Sequence, residues 1–142
     1  MNVWHWKYDF MGIRNSPQDN KANLALAQKV LNAWRKLDAS VFDEVLAENG
    51  FTYGSYWVRD TMRGKTAYRN YIEGKFASIA KADSAPEVSM VRLLEGISPQ
   101  EFPFALHMRQ GDHSSLLTFE FNDDCISSMY MTDPDIYAFE TL

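Results

Sequence analysis

The run FTYGSYWVRD, residues 51–60, concentrates rings and hydroxyls in a short segment. Read as one extended strand, it turns Phe51, Tyr53, Ser55 and Trp57 to a single face, because successive side chains alternate. That face is the more apolar one, and the Tyr53 and Ser55 hydroxyls on it can bond a ligand oxygen or be satisfied by protein or water. Tyr53 is also suited to polarising a carbonyl or hydroxyl. Asp60, just beyond the apolar run, is either a general base at a pocket rim or a solvated loop carboxylate.

Further candidates lie outside that run. His107, with an ordinary pKa of roughly 6.5, suits acid–base work or a place on the surface or at a dimer interface. His5 and His113 make no metal-ligand spacing with each other or with a carboxylate, and Cys125 stands alone, so no metal is expected. The chain has no phosphate-binding glycine loop, so no nucleotide cofactor is expected either. Trp34, Tyr68 and Tyr71 are aromatic walls of a pocket or members of the core. In the last strand Tyr130 and Thr132 are read as inward and Met129 and Met131 as outward, with a slip of one residue exchanging the pairs.

These side chains need elements to hold them. Ser16 as N-cap, Pro17 at the first helical position and Asp19 as capping-box acid begin a helix that runs to about Leu37. Its apolar stripe is Leu26, Ala27, Val30, Leu31, Trp34 and Leu37. Asp38 and Ser40 start a shorter helix through Val41, Phe42, Val45 and Leu46, which Asn49 and Gly50 end. After the strand, Gly64 or Lys65 opens a third helix with Ala67, Tyr68, Tyr71, Ile72, Phe76 and Ile79 on one side. Gly74 inside it predicts a bend or a close contact, and Gly54 in the strand predicts a bulge or the close approach of another group.

From Glu87 the hydrophobic period changes to two, giving strands at about 87–94, 102–110, 114–122 and 125–133. A two-residue turn at Gly111-Asp112 pairs Met108 with Ser115, Leu106 with Leu117 and Phe104 with Phe119, which leaves His107, Arg109 and Leu116 on the opposite face. Helices first and a strand meander last indicate an α+β domain, a curved antiparallel sheet wrapped around the long first helix with helices on its concave face.

The chain has 142 residues, 46% hydrophobic and 23% charged, the composition of a soluble globular protein with one core. A net charge of −5 and 14 scattered basic residues argue against nucleic acid as partner. The apolar runs are too short to cross a membrane, residues 1–12 carry no secretory signal pattern, and the lone cysteine fits a reducing cytoplasm. Residues 1–15 form an aromatic arm, with Trp4, Trp6, Tyr8 and Phe10 on one face, that packs on its own domain, joins a dimer or closes a pocket.

Three stretches, LALAQKVLNAWRKLDASVFDEVLAENGF, TYGSYWVRDTMRGKTAYRNYIEGKF and DDCISSMYMTD, together resemble the nuclear-transport-factor-2-like superfamily over roughly residues 22–133. That superfamily includes the SnoaL-like polyketide cyclases and the ketosteroid isomerases. The resemblance implies a cone-shaped fold and a hydrophobic pocket between the first helix, the strand after the second helix and the concave sheet face. It also implies a homodimer through the outer sheet face. Where isomerase-type relatives carry a general-base aspartate, this sequence has Ser55, which is no base unless a neighbour takes its proton.

Three functions follow as expectations. The first is binding of a small hydrophobic or aromatic molecule in a tyrosine-lined pocket, with Trp34, Tyr53, Ser55, Trp57, Tyr71 and Tyr130 as contacts. The second is a SnoaL-like isomerase, cyclase or hydratase acting on a hydrophobic cyclic substrate, with Asp60 or His107 as base. The third is a dimeric interaction module using the outer face and the aromatic arm.

Overall fold

A computed structural model describes residues 17–82, 85–94 and 102–142. The aromatic arm and the Ser16 cap lie outside the described residues. Helix α1, Pro17–Lys36, buries Ala27, Val30, Leu31 and Trp34 of the predicted stripe, with Leu26 and Leu37 half-buried and Ala33 buried beside it. It ends where Leu37 turns left-handed (φ 54°) and the Asp38 N–H bonds the Ala33 carbonyl at 2.9 Å, closing the last turn. Asp38 then accepts from the Ser40 N–H (3.0 Å) and hydroxyl (2.6 Å), capping a single 3-10 turn, Ala39–Val41, that leads into the short helix α2, Phe42–Val45.

The segment read as one strand is a hairpin. Strand β1, Thr52–Ser55, turns back at Tyr56 and Trp57 into β2, Val58–Arg63, with Tyr53 opposite Met62 and Ser55 opposite Val58. The Ser55 hydroxyl accepts the Trp57 N–H at 3.3 Å, and the Tyr56 N–H bonds the Met131 carbonyl at 2.8 Å. Two aromatic residues therefore occupy a loop that glycine, asparagine or aspartate usually marks. A bulge falls between Tyr53 and Ser55, and the Tyr130 ring lies over Gly54, 2.8 Å from where a Cβ would stand.

Helix α3, Lys65–Lys81, buries Tyr68, Ile72, Phe76 and Ile79 and leaves Ala67 exposed. Gly74 meets nothing within 4 Å, so the close contact its position suggested is absent. Strands β3 (Glu87–Leu93), β4 (Phe104–Gln110), β5 (His113–Asn122), β6 (Cys125–Thr132) and β7 (Phe139–Thr141) complete a sheet ordered β2-β1-β6-β5-β4-β3-β7. Leu106 pairs with Leu117 and Met108 with Ser115, the expected register. The sheet is mixed rather than wholly antiparallel, because β1 runs parallel to β6. Its edges are β2 and β7, so it stays open.

The last strand takes the slipped register. Asn122 faces Cys125 and Phe121 faces Ile126, but Glu120 faces Ser128, so Ser127 is an inserted residue. The insertion sends Met129 and Met131 inward, opposite Phe119 and Leu117, and leaves Tyr130 on the outer face, 43% exposed. Thr132 is buried on that outer side, opposite Leu116.

One buried cluster joins α1, α2 and α3 to the concave face, and Arg35 ties α1 to β3 by bonding the Val88 carbonyl through Nε (3.1 Å) and Nη2 (2.8 Å). A smaller cluster, Val91, Leu93, Ala105 and Leu116, lies on the outer face beneath Tyr137 and Phe139. Among the described residues no helix is long and apolar enough to cross a membrane.

The β5–β6 loop places both Asp123 (φ 48°) and Asp124 (φ 65°) in left-handed backbone, which glycine adopts without Cβ strain. Asp124→Gly is expected to raise stability by about 0.5 kcal/mol, the relieved strain exceeding glycine's entropy cost. A urea midpoint equal to or below that of the parent would contradict this.

Candidate functional site

Two helices, α1 and α3, the β1–β2 hairpin, and the ends of β4, β5 and β6 meet around a cavity of about 320 Å³. Trp34, Tyr53, Met108, Ser115 and Met131 are its buried floor, while Trp57, Val58, Lys75, Arg109 and His113 border the exposed mouth. At the mouth the rings of Trp57 and His113 meet edge to face at 5.1 Å.

Trp34 is the chemically telling member. Its side chain is 4% exposed, and its indole Nε1 is buried with no hydrogen-bond partner among the described residues. An indole N–H is a donor only, and leaving such a donor buried and unpaired costs about 1–3 kcal/mol. The ring itself is well held, edge-on to Phe76 at 5.0 Å.

Tyr53 sits in a block of rings, 5.0 Å from Tyr68 and 5.8 Å from Tyr71. Burial above all, then the neighbouring Tyr71 and the hydrogen bond to it, hold the Tyr53 phenol well above its usual pKa. Tyr68, buried against Phe42, Phe51 and both other tyrosines, is pushed up for the same first reason. Both phenols stay neutral over any working pH, so Tyr53 can donate to or accept from a bound oxygen but is a poor base. Ser55 spends an acceptor site on the Trp57 N–H and keeps its own proton to donate.

The cavity thus brings together five of the six proposed contacts: Trp34, Tyr53, Ser55, Trp57 and Tyr71. Tyr130 is not among its walls, because the Ser127 bulge turns that ring outward over Gly54. Asp60 is exposed on the edge strand β2 and does not line the cavity. His107 lies on the outer face, its Nε2 2.6 Å from the Ser114 hydroxyl and its ring 5.2 Å from Phe139. Neither borders the space in which a base would be needed.

Several wall residues escaped the sequence reading. Lys75 follows Tyr71 by one helical turn and so shares its face, a signal that was available. Met131 needed the bulge, and His113 and Arg109 needed the β4–β5 hairpin to bring its turn to the cavity mouth. Among the described residues no group of three or more His, Cys, Asp or Glu side chains could hold a metal ion.

The same architecture recurs in solved structures. An NTF2-like protein of unknown function from Pseudomonas putida matches with a TM-score of 0.59, 12% identity, and 84% of this chain against 89% of that one. The chain has the nuclear-transport-factor-2-like fold. A provisionally assigned ketosteroid isomerase from Kribbella flavida matches this NTF2-like chain with a TM-score of 0.54 at 19% identity, covering 79% of this chain and 77% of that one. An LEH-like epoxide hydrolase from M. tuberculosis does so with a TM-score of 0.53 at 14% identity, covering 79% and 82%. No family model and no curated protein matches the sequence. Identities this low carry the NTF2-like fold and leave the chemistry to the cavity's own residues.

His107 gives a pH test of its outer-face placement. Burial, and after it the Arg109 charge, hold its pKa below the usual 6.5. The unfolded chain therefore takes up this proton first as the pH falls. The histidine's contribution to stability is whole above its unfolded pKa and is lost as the pH drops through the depressed folded value. Between about pH 7.5 and about pH 5 the urea midpoint of the parent should fall further than that of His107→Gln; parallel curves would contradict the placement.

Proposed function

We propose that the cavity binds a small apolar molecule carrying at least one hydrogen-bond acceptor. The aromatic-walled space itself, floored by the buried Trp34, Tyr53, Met108 and Met131 with the Tyr53 and Ser55 hydroxyls as polar groups, is the observation that carries this reading. A cavity of about 320 Å³ is within the range of small-ligand sites, which combine mostly apolar walls with a few placed polar groups. A ligand seated there would lay its apolar body against the rings and bring its acceptor within reach of the hydroxyls at the wall. Tyr53 and Ser55 would orient it, and Trp57 would cover it at the mouth.

A second reading, a SnoaL-like isomerase, cyclase or hydratase, draws support from the structural neighbours described as a ketosteroid isomerase and an epoxide hydrolase. In this chain Tyr53 would polarise the substrate oxygen. The base would fall to His113, since none of the described residues lining the cavity is a carboxylate.

Binding is tested with N-phenyl-1-naphthylamine, an uncharged fluorophore that brightens in apolar surroundings. Saturable binding is expected, weakened at least about tenfold by Ser115→Leu and, independently, by Ser55→Leu, each of which fills the space. Affinity unchanged in both variants would exclude the cavity. For the catalytic reading, turnover of an alicyclic epoxide or a β,γ-unsaturated ketone should drop about 100-fold in Tyr53→Phe and in His113→Gln. A parent protein inert toward both substrates removes that reading.

A further inference from the structure

Among the described residues, every polar side chain bordering the cavity is able to donate a hydrogen bond, and none is an acid. The Lys75 ammonium has no lone pair to offer, while the hydroxyls of Tyr53, Ser55 and Ser115 can turn either way. The chain carries 19 acidic residues and a net charge of −5, and none of those among the described residues lines this wall.

The charges at the mouth are not equivalent. Arg109 Nη2 lies 3.1 Å from Glu87 Oε2, and that carboxylate answers its charge. Lys75 makes no ion pair among the described residues; its ammonium stands 5.9 Å above the Tyr71 ring, at the margin of a cation–π contact. Among the described residues, then, Lys75 is a cation without a carboxylate partner at the entrance to a largely apolar chamber.

We infer that the ligand is an apolar molecule with an anionic oxygen head, a carboxylate or sulfonate, seated with the head beside Lys75 and the body against Trp34, Met108 and Met131. The inference rests on the cavity-binding reading above and adds the charge of the ligand and its orientation. Carboxylate and sulfonate share the chemistry that matters here, oxygens that accept charge-assisted hydrogen bonds from an ammonium. A hydrogen bond to a charged group is worth enough to shift affinity about tenfold, and part of it is lost to screening at high salt.

The test pairs N-phenyl-1-naphthylamine with 8-anilino-1-naphthalenesulfonate, which has the same ring skeleton plus a sulfonate. The ratio of their affinities for the parent protein is compared with that for Lys75→Gln, an exposed helix position whose folding is checked by circular dichroism. In Lys75→Gln the preference for the sulfonate should fall about tenfold, with affinity for the uncharged dye unchanged. Raising the salt should weaken only the sulfonate in the parent protein. If both dyes bind and their ratio is the same in parent and variant, the anionic head is wrong while the apolar cavity stands. If neither dye responds to Ser115→Leu or Ser55→Leu, the cavity reading falls and this inference falls with it.

Discussion

Ser127 has no opposite residue on β5, and the site depends on that single insertion. Side chains on a strand alternate, so one extra residue exchanges the faces of everything that follows it. Beyond the bulge Met129 and Met131 join the core and Tyr130 leaves it. The parallel pairing of β1 with β6 carries the choice across the sheet: Tyr53 lies beside Met129 and Ser55 beside Met131, on the inner face, while Gly54 lies beside Tyr130 on the outer one. Gly54 and Tyr130 then fit as a pair, because the ring occupies the space a side chain at residue 54 would need.

Inside the cone, burial of aromatic rings competes with satisfaction of their polar atoms. Tyr68 is the hub, touching Phe42, Phe51, Tyr53 and Tyr71, and such offset and edge-on contacts each add about 0.5–1.5 kcal/mol beyond the area they bury. Against that gain stands the unpaired Trp34 N–H. The fold tolerates that orphaned donor because the surrounding ring block is well packed.

The sequence was most legible where a single periodicity ran uninterrupted. The stripe of α1, the strands of the meander and the Met108–Ser115 register follow from spacing and from a glycine turn that the chain does use. It was least legible where local chemistry gave no sign. Tyr56 and Trp57 look like strand residues and form a turn, held by a serine hydroxyl and a backbone bond to a strand 75 residues later, at Met131. Strand β7 is three residues long and exists because β3 offers it an edge. At the mouth of the cavity, parity pointed to Trp57 and helical spacing could have pointed to Lys75, but nothing in linear spacing joins His113 to them, since the three come from separate elements.

The parallel β1–β6 ladder also sets an order of events. Thr52 and Ser128, bonded through their hydroxyls at 3.0 Å, are 76 residues apart. On a ribosome adding about 5–20 residues each second, the inner edge of β1 waits roughly 4–15 s for its partner strand to exist. During that interval the early hairpin exposes the tyrosine face that later lines the cavity, together with an unpaired row of backbone groups. The nascent chain is therefore most open to wrong partners, or to a chaperone, while its future binding surface is already made and its far wall is still untranslated.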